Sequence, residues 1–158
     1  MIEIRAIELQ DGEWITEIAR EFWISDAVVS RGRVHRVREL PGFIALHNGK
    51  KTGFSTFRID DNECEIVSLV SLVEGIGIGS SLIDAMKRKA RSENCRRIWV
   101  ITTNDNLNAI EYYKKRGFTL VAVHVDAIQE ARQLKPEIPQ IGEHSIPIRD
   151  EIEFELLL

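Results

Sequence analysis

The chain changes character at one short stretch. From Val73 to Ser80 it reads VEGIGIGS, so Gly75, Gly77 and Gly79 stand at alternate positions between an apolar, β-branched run over 63–73 and an amphipathic run reaching about Ser92. In the second run Ile78, Leu82, Met86 and Ala90 mark one helical face, and Asp84, Lys87, Arg88 and Arg91 the other. A strand that passes through glycines straight into a helix leaves backbone N–H groups pointing out of the helix start, where the dipole adds partial positive charge. Such a turn suits a pyrophosphate. It is equally what a chain uses wherever it simply needs unusual backbone angles. No Gly-Lys-Ser/Thr follows, so this is not a Walker loop. A dinucleotide-binding fold would carry the motif in the first strand–helix unit of an alternating parallel sheet, and here several strands come first.

Those strands read as a meander. Residues 1–8 alternate Ile2, Ile4 and Ala6 with Glu3 and Arg5, the period of a half-buried strand. Asp11-Gly12 ends it, and Trp14, Ile15, Ile18, Ala19 and Phe22 then recur at helical spacing. Residues 26–40 carry a basic cluster (Arg31, Arg33, His35, Arg36, Arg38) without a clear period and end at Leu40-Pro41-Gly42. Two apolar runs, 43–47 and 52–59, flank Asn48-Gly49 as the arms of a hairpin. Asp60-Asp61-Asn62 turns the chain into the strand over 63–73.

Beyond the glycine turn, 97–103 reads as a core strand and 106–116 as a helix, with Gly117 at the left-handed C-cap position. A strand over 118–125, a short helix over 127–134 and a final strand over 150–158 complete the pattern. This order predicts an α/β chain of the α+β type, a mixed sheet flanked by helices in one domain over 1–158.

Composition narrows the function. At 158 residues, 44% hydrophobic and 29% charged, the chain can bury a core. A net charge of −4 argues against nucleic acid as a partner. No apolar run reaches the ~20 residues that span a bilayer, and the charged N-terminus does not read as a signal peptide. Membrane is therefore not expected, and a cytoplasmic location is. Cys64 and Cys95 are expected to be reduced and buried. The absence of CxxC and HExxH, with four scattered histidines, predicts no metal site.

Three segments together resemble the Gcn5-related N-acetyltransferase (GNAT) family. Glu65-Ile66-Val67-Ser68-Leu69-Val70-Ser71 resembles its central strand, and Gly77-Ile78-Gly79-Ser80 its pyrophosphate loop. Residues 106–118, NLNAIEYYKKRGF, are similar to its Asn-x-x-Ala-Ile-x-x-Tyr-x-x-x-Gly-Phe signature, the most specific of the three. The resemblance covers residues 1–126 and the last strand. One departure is Glu74, where the family usually has Arg or Gln; another is a turn after Ser71 about two residues shorter than the common form.

The resemblance implies a mostly antiparallel GNAT sheet splayed between its fourth and fifth strands, 63–73 and 97–103. It implies direct acetyl transfer from acetyl-CoA, the co-substrate, to a primary amine of a small molecule or peptide. Leu69, Val70 and Ser71 would offer backbone groups to the pantetheine arm and thioester. Gly75, Gly77, Ile78, Gly79 and Ser80 would hold the pyrophosphate, and Asn106 would contact the CoA arm, although it can also be a helix cap. Tyr113 matches the tyrosine that protonates the departing thiolate; Tyr112 beside it points about 100° away, so only one of the pair enters the cleft. Glu65 matches the position of a general base, and Glu63 shares its face of the strand. The basic cluster falls where the family's substrate-facing helix and loop lie, either to hold a substrate carboxylate or as solvated surface. The alternatives are a non-catalytic acyl-CoA-binding relative, for which Glu74 speaks, and a nucleotide-binding module built on the glycine turn. The exposed edge of the last strands leaves a homodimer open.

Overall fold

The computed structural model describes residues 1–158. Strands β1 (Ile2–Ala6), β4 (Gly42–His47), β5 (Lys50–Asp60), β6 (Glu63–Ser71), β7 (Arg97–Thr103), β8 (Thr119–His124) and β9 (Glu151–Leu157) form one sheet in the order β1-β4-β5-β6-β7-β9-β8. Every neighbouring pair is antiparallel except β6 and β7, which run parallel. A separate hairpin pairs β2 (Ala27–Ser30) with β3 (Arg33–Arg36). The mixed sheet flanked by helices is the one the sequence predicts.

Alternation along the strands sorts the core into two faces. On one, Ile15 of helix α1 (Gly12–Trp23) packs with Val37, Ile44, Phe54 and Val70. On the other, Ile83, Met86 and Ala90 of helix α2 (Ile78–Ser92) pack on Phe57, Cys64, Ile66 and Ile98. Helix α3 (Leu107–Lys115) joins this second face through Tyr113. The strip of apolar residues at helical spacing in each helix is thus the buried one. Cys64 and Cys95 are free and buried.

Residues 26–40, which show no clear period in sequence, take a definite shape. They form the β2–β3 hairpin followed by a single 3₁₀ turn at Val37–Glu39. The turn is Arg31-Gly32, both residues with positive φ (50° and 74°), as are Asn48-Gly49 and Asp61-Asn62 in the other two hairpins. Two-residue turns with both φ positive match the right-handed twist of the strands they join. The hairpin lies over the α1 side of the sheet, backed by helix α4 (Ala127–Leu134), whose Ile128 and Ala131 pack with Ile148 and Val29. Lys135, after that helix, is buried and donates from Nζ to the carbonyls of Trp23 (2.6 Å) and Ala27 (2.7 Å). The hairpin is therefore fixed at its base by the end of α4. β8 is an edge of the sheet and exposes Leu120, Val121 and Val123. No helix is long and apolar enough to cross a membrane.

Candidate active site

The sheet opens along one line. β6 and β7 are paired only from Glu63/Arg97 to Ile66/Val100. Beyond Ile66, β6 carries an extra residue: Thr56 faces Ser68 and Phe57 faces Ile66, so Val67 is a bulge. A bulge bends its strand and raises the local twist, and β7 turns away to pair with β9 as far as Thr103/Glu151. Leu69, Val70 and Ser71 keep their β5 partners on one side and have no strand on the other. The closed end is held by Arg97, which donates to Glu63 (3.0 Å), Glu153 (2.8 Å) and Glu155 (3.0 Å). The result is a wedge, zipped by charge at the base and open toward the end of β6.

The wedge leads into the glycine turn. Residues 71–77 are exposed, and Gly75 and Gly77 have φ of 80° and 91°, a region that glycine enters without a Cβ penalty. The first helical hydrogen bond of α2 runs from the Ser81 amide to the Gly77 carbonyl (3.0 Å). The amides of Ile78, Gly79 and Ser80 therefore precede it and lack intrahelical partners. Three free donors at a helix N-terminus on a glycine hinge fit an anionic diphosphate. The side chain of Glu74 is exposed.

On the α1 side, under the closed end of the wedge, lies Glu65. It is only 5% exposed. The Ser30 hydroxyl donates to its Oε2 at 2.7 Å, and the His35 Nε2 stands 3.8 Å from its Oε1. That approach is not an ion pair: burial lowers the His35 pKa, the imidazole is neutral at pH 7, and its Nε2 has no hydrogen-bond partner. Burial raises the Glu65 pKa to about 7, opposed by the Ser30 hydrogen bond. The next-door tip of the hairpin is anchored by Glu151, whose carboxylate accepts from the Arg31 amide (3.2 Å) and guanidinium (3.1 Å). Between hairpin and sheet is a cleft of about 300 Å³ with Glu65, Glu63 and Trp99 in its wall.

The two tyrosines of α3 part as adjacent helical positions must. Tyr113 is 6% exposed, with its ring edge-on to Phe118 at 5.3 Å and in the same core as Ile66 and Val100, the last paired residues of the wedge. Burial raises its pKa. Tyr112 turns to the start of α2: its buried hydroxyl has no partner, and a Cβ on Gly79 would collide with it. Arg116 stacks on the Tyr112 ring at 3.4 Å. Asn106 caps α3, its Oδ1 accepting from the Ala109 amide at 3.1 Å, which leaves its amide nitrogen for a ligand.

A profile of the acetyltransferase (GNAT) family matches residues 6–118. The chain belongs to the GNAT family. Its members move an acetyl group from acetyl-CoA, and that reaction is this chain's. The uncharacterized protein YdhI of Bacillus subtilis (strain 168) is 43% identical over 141 residues, 89% of this chain and 88% of that protein. An IAA acetyltransferase from Bacillus cereus ATCC 14579 shares the fold at a TM-score of 0.74 and 18% identity, with both chains fully covered. A Bacillus subtilis acetyltransferase crystallised with CoA superimposes at 0.70 and 19% identity, over 100% of this chain and 99% of that one.

The GNAT fold thus brings the central-strand, glycine-turn and α3 residues together around the wedge. Nothing local in the sequence links Ser30 and His35 to Glu65 or Arg31 to Glu151, because these contacts cross 30 or more positions. A local signal for the hairpin does exist: Arg31-Gly32 stands between Ala27-Val28-Val29 and Val34, a turn between short apolar runs.

Proposed function

We propose that this GNAT protein is an N-acetyltransferase that acetylates a primary amine in the cleft beside Glu65. The observation that carries this reading is the juxtaposition across the wedge. The unpaired edge of β6 and the free amides of α2 lie toward one end, and a buried carboxyl with pKa about 7 faces the cleft at the other. In the net reaction an ammonium and acetyl-CoA give an amide, free thiol and one proton: an N–C bond forms and the C–S bond breaks.

The residues divide that work. The Ile78, Gly79 and Ser80 amides, with Gly75 and Gly77 shaping the turn, hold the pyrophosphate. Leu69, Val70 and Ser71 offer backbone groups from their unpaired edge, and the Asn106 amide nitrogen reaches the CoA arm. Acetyl-CoA supplies the activated acyl group. Glu65 takes the proton that makes the amine nucleophilic, for which a pKa near the working pH is suited. Tyr113, kept protonated by burial, returns a proton to the leaving thiolate. Its rival is Tyr112, whose unpartnered hydroxyl sits against Gly79.

Calorimetric titration with CoA, acetyl-CoA, desulfo-CoA and ADP tests cofactor binding, followed by thiol release over an amine panel. Tight binding that needs the pantetheine arm, with a roughly hundredfold or larger loss of kcat in Tyr113→Phe and a small one in Tyr112→Phe, is expected. The reverse order of the two variants would transfer the acid role to Tyr112. CoA binding with no amine acetylated would leave a non-catalytic acyl-CoA-binding protein, and no binding at millimolar ligand would overturn the reading.

A further inference from the structure

The acceptor cleft carries charges of both signs and almost no apolar wall. Trp99 is the one hydrophobic residue of its lining, whereas ligand pockets of this size are mostly apolar. Four arginines face it: Arg31 and Arg33 from the hairpin tip, Arg58 from β5 and Arg96 before β7. Their existing partners differ. Arg96 is taken by Glu63, and Arg31 donates to Glu151 at 3.1 Å. Arg58 holds Asp60 at 3.0 Å, and Arg33 has only a 3.7 Å approach to that same carboxylate. Asp60 is 58% exposed, so the carboxylate that occupies Arg58 and Arg33 is a surface group that a ligand can displace.

The register fixes where this anion site lies. Arg58 is the cross-strand partner of Glu65, and side chains so paired stand roughly 5 Å apart on one face. The Glu65 carboxyl and two guanidiniums that share one exposed carboxylate therefore line the same cleft on one face of the sheet. Asp61 also lines the cleft, so a polyamine's second ammonium would meet carboxylates as well as guanidiniums but would leave Arg33 and Arg58 unanswered, and an apolar amine would meet only Trp99.

We infer that the acceptor is a small zwitterion, a primary amine that carries its own carboxylate or phosphorus oxyanion. Its nitrogen lies at Glu65, and its anion is held by Arg33 and Arg58 in place of Asp60. The inference rests on the acetyl-transfer reading for the position of the nitrogen, but the anion site stands on the cleft alone. Arg33 and Arg58 are then specificity-determining, because a planar guanidinium fork matches an oxyanion in a way an ammonium does not.

Ligand-observed NMR on the full chain, with and without CoA, separates the two claims. The probes are 4-aminobutyrate, 3-aminopropylphosphonate and butylamine, together with alanine, ethylamine and spermidine. At least one zwitterion is expected to bind at least tenfold more tightly than its anion-free counterpart. Arg33→Ala is expected to erase that ratio while CoA affinity stays unchanged, and Arg33→Lys to restore part of it. The carboxylate and phosphonate arms tell which anion is preferred. Butylamine, ethylamine or spermidine binding as well as every zwitterion would overturn the inference and leave acetyl transfer intact, as would CoA binding with no probe bound. A zwitterion preference without CoA binding would keep the anion site and sink the acetyl-transfer reading. No binding by CoA or any probe would remove both.

Discussion

Asp11 and Glu65 are both buried carboxyls, at 0% and 5% exposure, and their surroundings drive them in opposite directions. Asp11 accepts two hydrogen bonds from Arg5 (2.8 and 2.9 Å) and one from the Glu8 amide (2.8 Å), with the Lys51 ammonium at 2.9 Å. These partners outweigh burial and hold its pKa far below the usual carboxylate range. Glu65 has only a neutral hydroxyl and a neutral imidazole against it, and the pull of Arg58 is countered by Glu151 and Glu153, so burial wins and its pKa rises to about 7. Asp11 ties β1, the start of α1 and β5 into a scaffold. Glu65 is left with a proton to exchange. A fully paired buried charge stabilises a fold; a half-satisfied one near neutrality is where proton transfer is expected.

Substituting each group separates the two roles. Glu65→Gln is expected to lower kcat/KM by about 10²–10⁴-fold, the usual worth of a positioned base, with the fold retained by circular dichroism. Asp11→Asn should do the opposite. Urea unfolding at pH 7 is expected to lose about 3 kcal/mol, because two cations keep their places without their anion, while kcat of the folded enzyme changes little. Equal activity losses in the two variants would erase the distinction.

The pH dependence of stability sharpens it further. Glu65 has a folded pKa raised from 4.5 to about 7, so folding opposes its ionisation. The cost is absent below pH 4.5, grows as pH rises and is complete above pH 7. Glu65→Gln is therefore expected to match wild type in urea at pH 4 and to exceed it by about 3 kcal/mol at pH 8. The Asp11 contribution has the other sign: its pKa is lowered, so its stabilisation is present above pH 4 and is lost in acid. A smaller effect is expected from Ser30→Ala. Removing the hydroxyl that favours the Glu65 carboxylate moves the acid limb of the kcat/KM profile upward, with the high-pH plateau little changed.

These two carboxyls also mark how far the sequence can be read. The glycine turn, the α3 signature and the Asn48-Gly49 hairpin depend on short-range spacing, so local pattern finds them. Glu65 was placed through the central-strand motif. What makes it special was not legible, because Ser30 lies 35 positions away and the two meet only when the β2–β3 hairpin folds over the sheet. That hairpin escaped because its strands are four residues each and half basic on β3. The Asp11 cluster is hidden for the same reason, since Lys51 arrives from a distant strand. The α3 signature picks Tyr113 over Tyr112 by register alone, and packing against Phe118 and Gly79 is what gives the two rings different surroundings.

The most direct test is the pH profile of kcat/KM for acetyl transfer to one amine, measured in wild type and Glu65→Gln. The amine's own titration is common to both, so any difference belongs to the enzyme. The account predicts a limb with an inflection near pH 7 in wild type, rising with pH, and its disappearance in the variant. The same inflection in both proteins would contradict Glu65 as the base and detach the cleft from the chemistry.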